Sequence, residues 1–126
     1  MILSIGIDIV AVYRIRKTIA RTPRFVDRVF TKDERAYCEG RGVGAFQSYA
    51  GRFAAKEAFL KALKTGWRGK ITWTEIEVAV DELGAPELKL SGEAKELLKS
   101  RRCDRVHLSI SHTEEYAIAE VILEQL

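Results

Sequence analysis

The longest periodic stretch of this chain is a helical pattern over residues 45–64, and it carries a charge where its apolar face should be continuous. With Phe46 as zero, ideal geometry of about 100° per residue puts Ala50 at about 40°, Phe53 at about 340° and Leu60 at about 320°. Glu57 falls at about 20°, in the middle of that stripe, and Lys61 at about 60°, at its edge. A carboxylate so placed must be paired, protonated or bound to a metal, because an isolated buried charge costs several kcal/mol. The competing reading is an ordinary i,i+4 Glu–Lys pair, worth roughly 0.2–0.5 kcal/mol on a surface helix.

Around this helix the rest of the chain supplies short, mixed elements. Residues 1–10 alternate, with Leu3, Ile5, Ile7 and Ile9 on one face and Ser4, Gly6 and Asp8 on the other, which predicts a half-buried strand ending near a carboxylate. Val12, Ile15 and Ile19 then recur at helical spacing. Thr22-Pro23 stops that helix and opens a short one, and Thr31 with Glu34 forms a capping-box pattern for a third, closed by Gly40. Strands are predicted at 74–80 and 87–90 around a turn, a helix follows with Ser91 as N-cap, and 106–111 with 116–123 form a closing antiparallel pair. There is no regular strand–helix alternation, so the expected class is α+β: one domain, residues 1–126, with an antiparallel sheet packed against the long helix.

Composition narrows the function classes. No apolar run approaches the roughly 20 residues of a membrane span, and no secretory signal is expected at the N-terminus. Cys38 and Cys103 stand alone, which suits reduced thiols in a cytoplasmic protein better than a disulfide framework or a zinc site. The net charge of +3 is unevenly placed. Arg14, Arg16, Lys17, Arg21, Arg24 and Arg28 outweigh Asp8 and Asp27 in the first thirty residues, a basic face that is either solvated or meets an acidic partner. Neither a helix-turn-helix nor aromatic-rich strands accompany it, so nucleic acid is not the expected partner, and nor is a membrane. The absence of asparagine, with only two glutamines, hints at a thermophilic source.

Asp8 adds a second carboxylate at the end of an apolar strand, either a turn residue or, with Glu57, half of a magnesium site of the kind that substrate phosphates complete. His112 continues the parity of Val106, Leu108 and Ile110, and serves either the structure or a phosphate. No P-loop and no Gly-x-Ser-x-Gly elbow is present.

Three separated motifs resemble the bacterial holo-acyl-carrier-protein synthases, small single-domain 4′-phosphopantetheinyl transferases. They are Ile5-Gly6-Ile7-Asp8-Ile9-Val10; Gly51-Arg52-Phe53-Ala54-Ala55-Lys56-Glu57-Ala58 with Lys61-Ala62; and Ser109-Ile110-Ser111-His112-Thr113 with Glu115-Tyr116-Ala117. Ile76-Glu77-Val78 and Gly84-Ala85-Pro86 fall where the family places its central hairpin, so the likeness covers essentially the whole chain. The resemblance implies transfer of phosphopantetheine from coenzyme A to a serine of apo acyl carrier protein. It implies magnesium on Asp8 and Glu57, with Lys61 adding charge at the same oxygens. Arg52, His112 and the backbone near Gly66 would hold the nucleotide, and Arg14, Arg21, Arg24 and Arg28 would dock the carrier. A homotrimer with sites between subunits is implied as well. Lys64 stands where relatives commonly have glycine. The alternative is a non-catalytic module that binds acidic proteins through the basic N-terminal helix.

Overall fold

The computed structural model describes residues 1–64 and 70–126. Strand β1 (Ile2–Ala11) leads directly into α1 (Val12–Arg21), followed by α2 (Arg24–Val29), α3 (Lys32–Glu39) and the long helix α4 (Ala45–Leu63). A hairpin of β2 (Ile76–Val80) and β3 (Pro86–Leu90), helix α5 (Gly92–Ser100) and strands β4 (Arg105–His112) and β5 (Tyr116–Glu124) complete the chain. The main sheet is antiparallel with order β1-β5-β4, and β2-β3 forms a second, two-stranded sheet. This is the expected α+β architecture. Among the described residues, no helix is long and apolar enough to cross a membrane.

The local signals explain most boundaries. Thr31 and Glu34 form the complete capping box at the start of α3, and Gly40 closes that helix. The predicted strand at 74–80 begins two residues late, because Trp73–Glu75 is a 3₁₀ turn. Glu75 turns back to accept from the Thr72 backbone N–H, at 3.1 Å, and from that of Ala94, also at 3.1 Å. The start of α5 is therefore capped by Glu75, while Ser91, at the N-cap position, gives no side-chain cap. Lys64 ends α4 at φ 60°, a left-handed conformation that glycine adopts without strain.

The structure settles two directions of burial that periodicity leaves open. The inner face of β1 is Gly6, Asp8 and Val10, while Ile5, Ile7 and Ile9 are 54%, 51% and 62% exposed. The strand is half-buried as its alternation requires, but α4 lies on the face with the small residue. The reason is steric: a Cβ on Gly6 would stand 2.0 Å from the Ala58 carbonyl oxygen and 2.6 Å from the Ala62 nitrogen. Helix and strand meet backbone to backbone there.

Nor is the stripe containing Glu57 the buried side of α4, because the helix is buried nearly all round. Gly51, Ala58 and Ala62 meet the sheet, with Gly51 against Ile110 of β4. The opposite face carries Lys56, fully buried, whose ammonium donates to Glu34 Oε1 at 2.8 Å and to the Trp73 carbonyl at 3.0 Å. Glu34 also accepts from the backbone N–H of Thr31 and of Val78, each at 2.8 Å. Burial lowers the Lys56 pKa and the Glu34 carboxylate opposes that shift. This hydrogen-bonded pair ties α3, α4 and β2 together.

Gly6→Ala should cost about 3 kcal/mol or more, since neither backbone can give way without moving a whole element. Urea unfolding of the variant measures it; a loss below about 1 kcal/mol would show that α4 can shift off the strand.

Candidate active site

The contact at Gly6 sets the geometry of the site. Asp8 is the next residue of β1 on the same face as Gly6, and Glu57 and Lys61 flank Ala58 on α4, so close packing of the elements brings all three side chains to one edge. Lys61 Nζ stands 2.8 Å from Asp8 Oδ1 and donates to the Ile7 carbonyl at 3.1 Å. The Lys61 side chain remains about half exposed at the rim, whereas that of Asp8 is largely covered.

Asp8 and Glu57 share a cleft of about 360 Å³ whose walls are Val10, Arg14, Ile15, Phe25 and Phe53 among others. The floor is held by aromatic contacts: Phe53 packs on Phe25 at 5.7 Å and on Trp73 at 5.3 Å between ring centroids. Burial pushes the Glu57 pKa above its ordinary value, Asp8 pushes it further, and Lys61 opposes both. A carboxylate pair in this condition gains from a cation. Among the described residues no group of three or more metal-ligating side chains occurs. Two carboxylates are enough for magnesium, which commonly takes one or two from protein and leaves the remaining positions to water and substrate phosphate. The residues present therefore fit that ion.

Arg52 and His112 are brought together elsewhere. They line a second cleft, of about 450 Å³, with Tyr37, Arg41, Ser48 and Gly84. His112 lies in register with Ala117, which pairs with Val10, so it sits two strands from β1, about 10 Å across the sheet. Helix α4 crosses the sheet between the clefts, from Ile110 of β4 at Gly51 to Gly6 of β1 at Ala58. Gly66 lies outside the described residues. Arg14 stands at the carboxylate cleft itself, and Arg21, Arg24 and Arg28 are exposed on α1 and α2 beyond it. The sequence reading missed Lys56 and Tyr37. The first pairs with Glu34, 22 residues away in the chain, and has Arg52 and Leu60 at i−4 and i+4, so no local spacing marks it, and the second gives no signal until its ring is seen against Arg52. Cys38 takes no part in the site: burial pushes its thiol up to about 12.

Residues 4–121 match the 4′-phosphopantetheinyl transferase superfamily, and the chain belongs to it. It is 46% identical to the holo-[acyl-carrier-protein] synthase of Koribacter versatilis, over 98% of this chain and 99% of that protein. Among solved structures, it is similar to the holo-(acyl-carrier-protein) synthase of Bacillus anthracis in complex with CoA (3′,5′-ADP). That likeness has a TM-score of 0.82 and 41% identity, over 100% and 99% of the two chains. The enzyme of Neisseria meningitidis superposes with a TM-score of 0.88 at 37% identity, over 99% of this chain and all of that one.

The raised Glu57 pKa has a consequence for stability in metal-free protein. A carboxylate that holds its proton more tightly when folded loses stability as pH rises from its ordinary unfolded value through the raised one. Glu57→Gln should therefore melt above the unsubstituted protein at pH 7 in chelator, and the gap should close below about pH 4. A variant that melts lower at pH 7 would contradict the assignment.

Proposed function

We propose that residues 1–126 form one transferase domain that moves 4′-phosphopantetheine from coenzyme A to a serine of apo acyl carrier protein, releasing adenosine 3′,5′-bisphosphate. The observation that carries this reading is the convergence of Asp8 and Glu57 in one cleft, with Arg14 at its wall and Lys61 against Asp8 at its rim. The names of the relatives and the complex of the Bacillus anthracis protein with CoA (3′,5′-ADP) support the substrate class.

In this mechanism the serine oxygen attacks the phosphorus bearing the pantetheine. The bond from that phosphorus to the bridging oxygen breaks, and the nucleotide leaves with the electron pair. Negative charge grows on the leaving phosphate, and stabilising it is the main task. Asp8 and Glu57 would hold magnesium, which supplies positive charge at the pyrophosphate oxygens when bound. Lys61, braced by Asp8 and the Ile7 carbonyl, presents its ammonium at the rim where that charge develops. Arg52 and His112 would bind the nucleotide. The apolar walls of Ile15, Phe25 and Phe53 keep the charged groups of the cleft partly out of water.

The exposed arginines of α1 and α2 are read as the dock for an acidic carrier surface. None of Arg14, Arg21, Arg24 and Arg28 is in an ion pair with a described residue. Docking there would lead the carrier to the Arg14 wall of the carboxylate cleft. The protein is read as cytoplasmic, in keeping with its free thiols.

The assembly is proposed to be a homotrimer. Two features support it: the outer sheet face exposes Ile5, Ile7, Ile9 and Ile118, a large apolar area for a lone chain, and the two clefts lie on opposite sides of α4. A neighbouring copy seated on the sheet could bring its Arg52 cleft to this chain's carboxylates. Light scattering should give about three times the 14.2 kDa chain mass, and Ile7→Lys should reduce it; a monomer at micromolar concentration would exclude this arrangement.

The activity is tested by mixing protein, coenzyme A, magnesium and apo carrier protein, then weighing the carrier by intact mass spectrometry. The carrier should gain one phosphopantetheine, and the gain should vanish with chelator. Asp8→Ala and Glu57→Ala should each lower the rate by about 10³-fold or more. Reversing Arg14 and Arg21 to glutamate should raise KM for the carrier at least about ten-fold while leaving coenzyme A binding intact. No gain on any folded carrier would favour the binding module over the enzyme.

A further inference from the structure

Arg52 is a buried cation without an anion. The residue is 6% exposed, its Nε is buried with no acceptor, and its side chain makes no hydrogen bond or ion pair to any described residue. Its charge rests instead on an aromatic face: the guanidinium carbon stands 4.0 Å from the centroid of the Tyr37 ring. Arg41 stands over the same ring at 5.4 Å. All three line the 450 Å³ cleft with His112, and no carboxylate does.

We infer that Tyr37 is a positioning residue that holds the guanidiniums of Arg52 and Arg41 at one ring, as a receptor for a phosphate of the nucleotide. The inference rests on the function proposed above, and it names what prepares the nucleotide cleft before the ligand arrives. A ring quadrupole attracts a guanidinium through its face. A stacked guanidinium keeps its edge free, and the edge carries the donors that meet phosphate oxygens two at a time. Two guanidiniums at one ring repel each other, and an anionic ligand bound in the cleft that both line offsets that repulsion.

The ring is held firmly enough for this. Tyr37 lies on α3, whose first turn is fixed by the Thr31–Glu34 box, and Glu34 is bonded to Lys56 of α4. Arg52 is four residues before Lys56 on α4. The spacing between ring and guanidinium is thus set by the same buried pair that orients the long helix. The Tyr37 hydroxyl makes no hydrogen bond to a described residue, so the face of the ring, and not its oxygen, does the positioning.

The test compares the unsubstituted protein with Tyr37→Phe and Tyr37→Leu. Adenosine 3′,5′-bisphosphate is titrated calorimetrically into each, and KM for coenzyme A, KM for the carrier and kcat are measured. Tyr37→Phe keeps the face and should bind within about two-fold of the unsubstituted protein. Tyr37→Leu should weaken bisphosphate binding and raise KM for coenzyme A by about ten-fold, leaving kcat and carrier KM within about two-fold. Tyr37 is half-buried, and thermal melts check that each variant folds; Tyr37→Met repeats the measurement should Tyr37→Leu fail to fold. Equal binding by the leucine variant, or a phenylalanine variant as weak as the leucine one, overturns the inference while the proposed function stands. An unsubstituted protein that binds no bisphosphate and transfers nothing overturns the proposed function, and this inference with it.

Discussion

Where Gly6 of β1 meets α4 there is no space for a side chain. Gly6 meets the backbone of Ala58 and Ala62 directly, and the adjoining surface is built from Ala117 and Ala119 of β5. Small residues on both sides let a helix of nineteen residues lie closer to the sheet than leucine or isoleucine would allow. The gain is geometric as well as energetic. Helix side chains one position from the contact, Glu57 and Lys61, are carried within reach of the strand side chain two positions from it, Asp8. With a larger residue at position 6 the helix would stand off, and the 2.8 Å contact of Lys61 with Asp8 would be the first to open.

A helix resting on small residues is free to rotate unless something else fixes it, and the Glu34–Lys56 pair does so from the opposite side. Replacing such a pair with apolar residues is often neutral for stability, whereas its directional hydrogen bonds exclude other helix rotations. Each Glu34 oxygen is occupied, one by Lys56 and the Thr31 N–H, the other by the Val78 N–H. Rotating α4 by one residue would strand a buried charge, at several kcal/mol. Since Lys56 and Glu57 are adjacent, fixing one aims the other into the carboxylate cleft.

This arrangement explains which parts of the molecule were legible from sequence. The capping box, the Thr22-Pro23 break, the turn between the two predicted hairpin strands and the long helix are local signals, and the chain obeys them. The α+β class follows from their order. The candidate residues Asp8, Glu57 and Lys61 stood out as charges in apolar patterns, and they do meet. What sequence periodicity could not supply is the direction of burial. A helix packed on every side has no single stripe, so Phe46, Phe53 and Leu60 mark one packed face among several, and no periodic signal singles out Lys56, one of the most deeply buried charges. The alternation of β1 likewise does not say which of its faces is inward. The face that α4 covers is chosen by Gly6, which has no hydropathy to speak of.

The exposed isoleucines and the second cleft belong to one argument. Strand β1 turns Gly6 toward α4 and Ile5, Ile7 and Ile9 outward, and in the proposed trimer that outer face would be covered by a neighbouring copy. Along the same sheet, His112 on β4 and Asp8 on β1 both point to the helix side, and α4 passes between them. Within one chain, a ligand that needs both sets of residues would have to cross the helix; in the proposed trimer, a neighbour seated on the isoleucine face would instead bring its own Arg52 cleft toward these carboxylates. The burial of apolar surface and the completion of the site would then be one event, and dilution to the monomer would separate the two halves of the active centre while leaving each half folded.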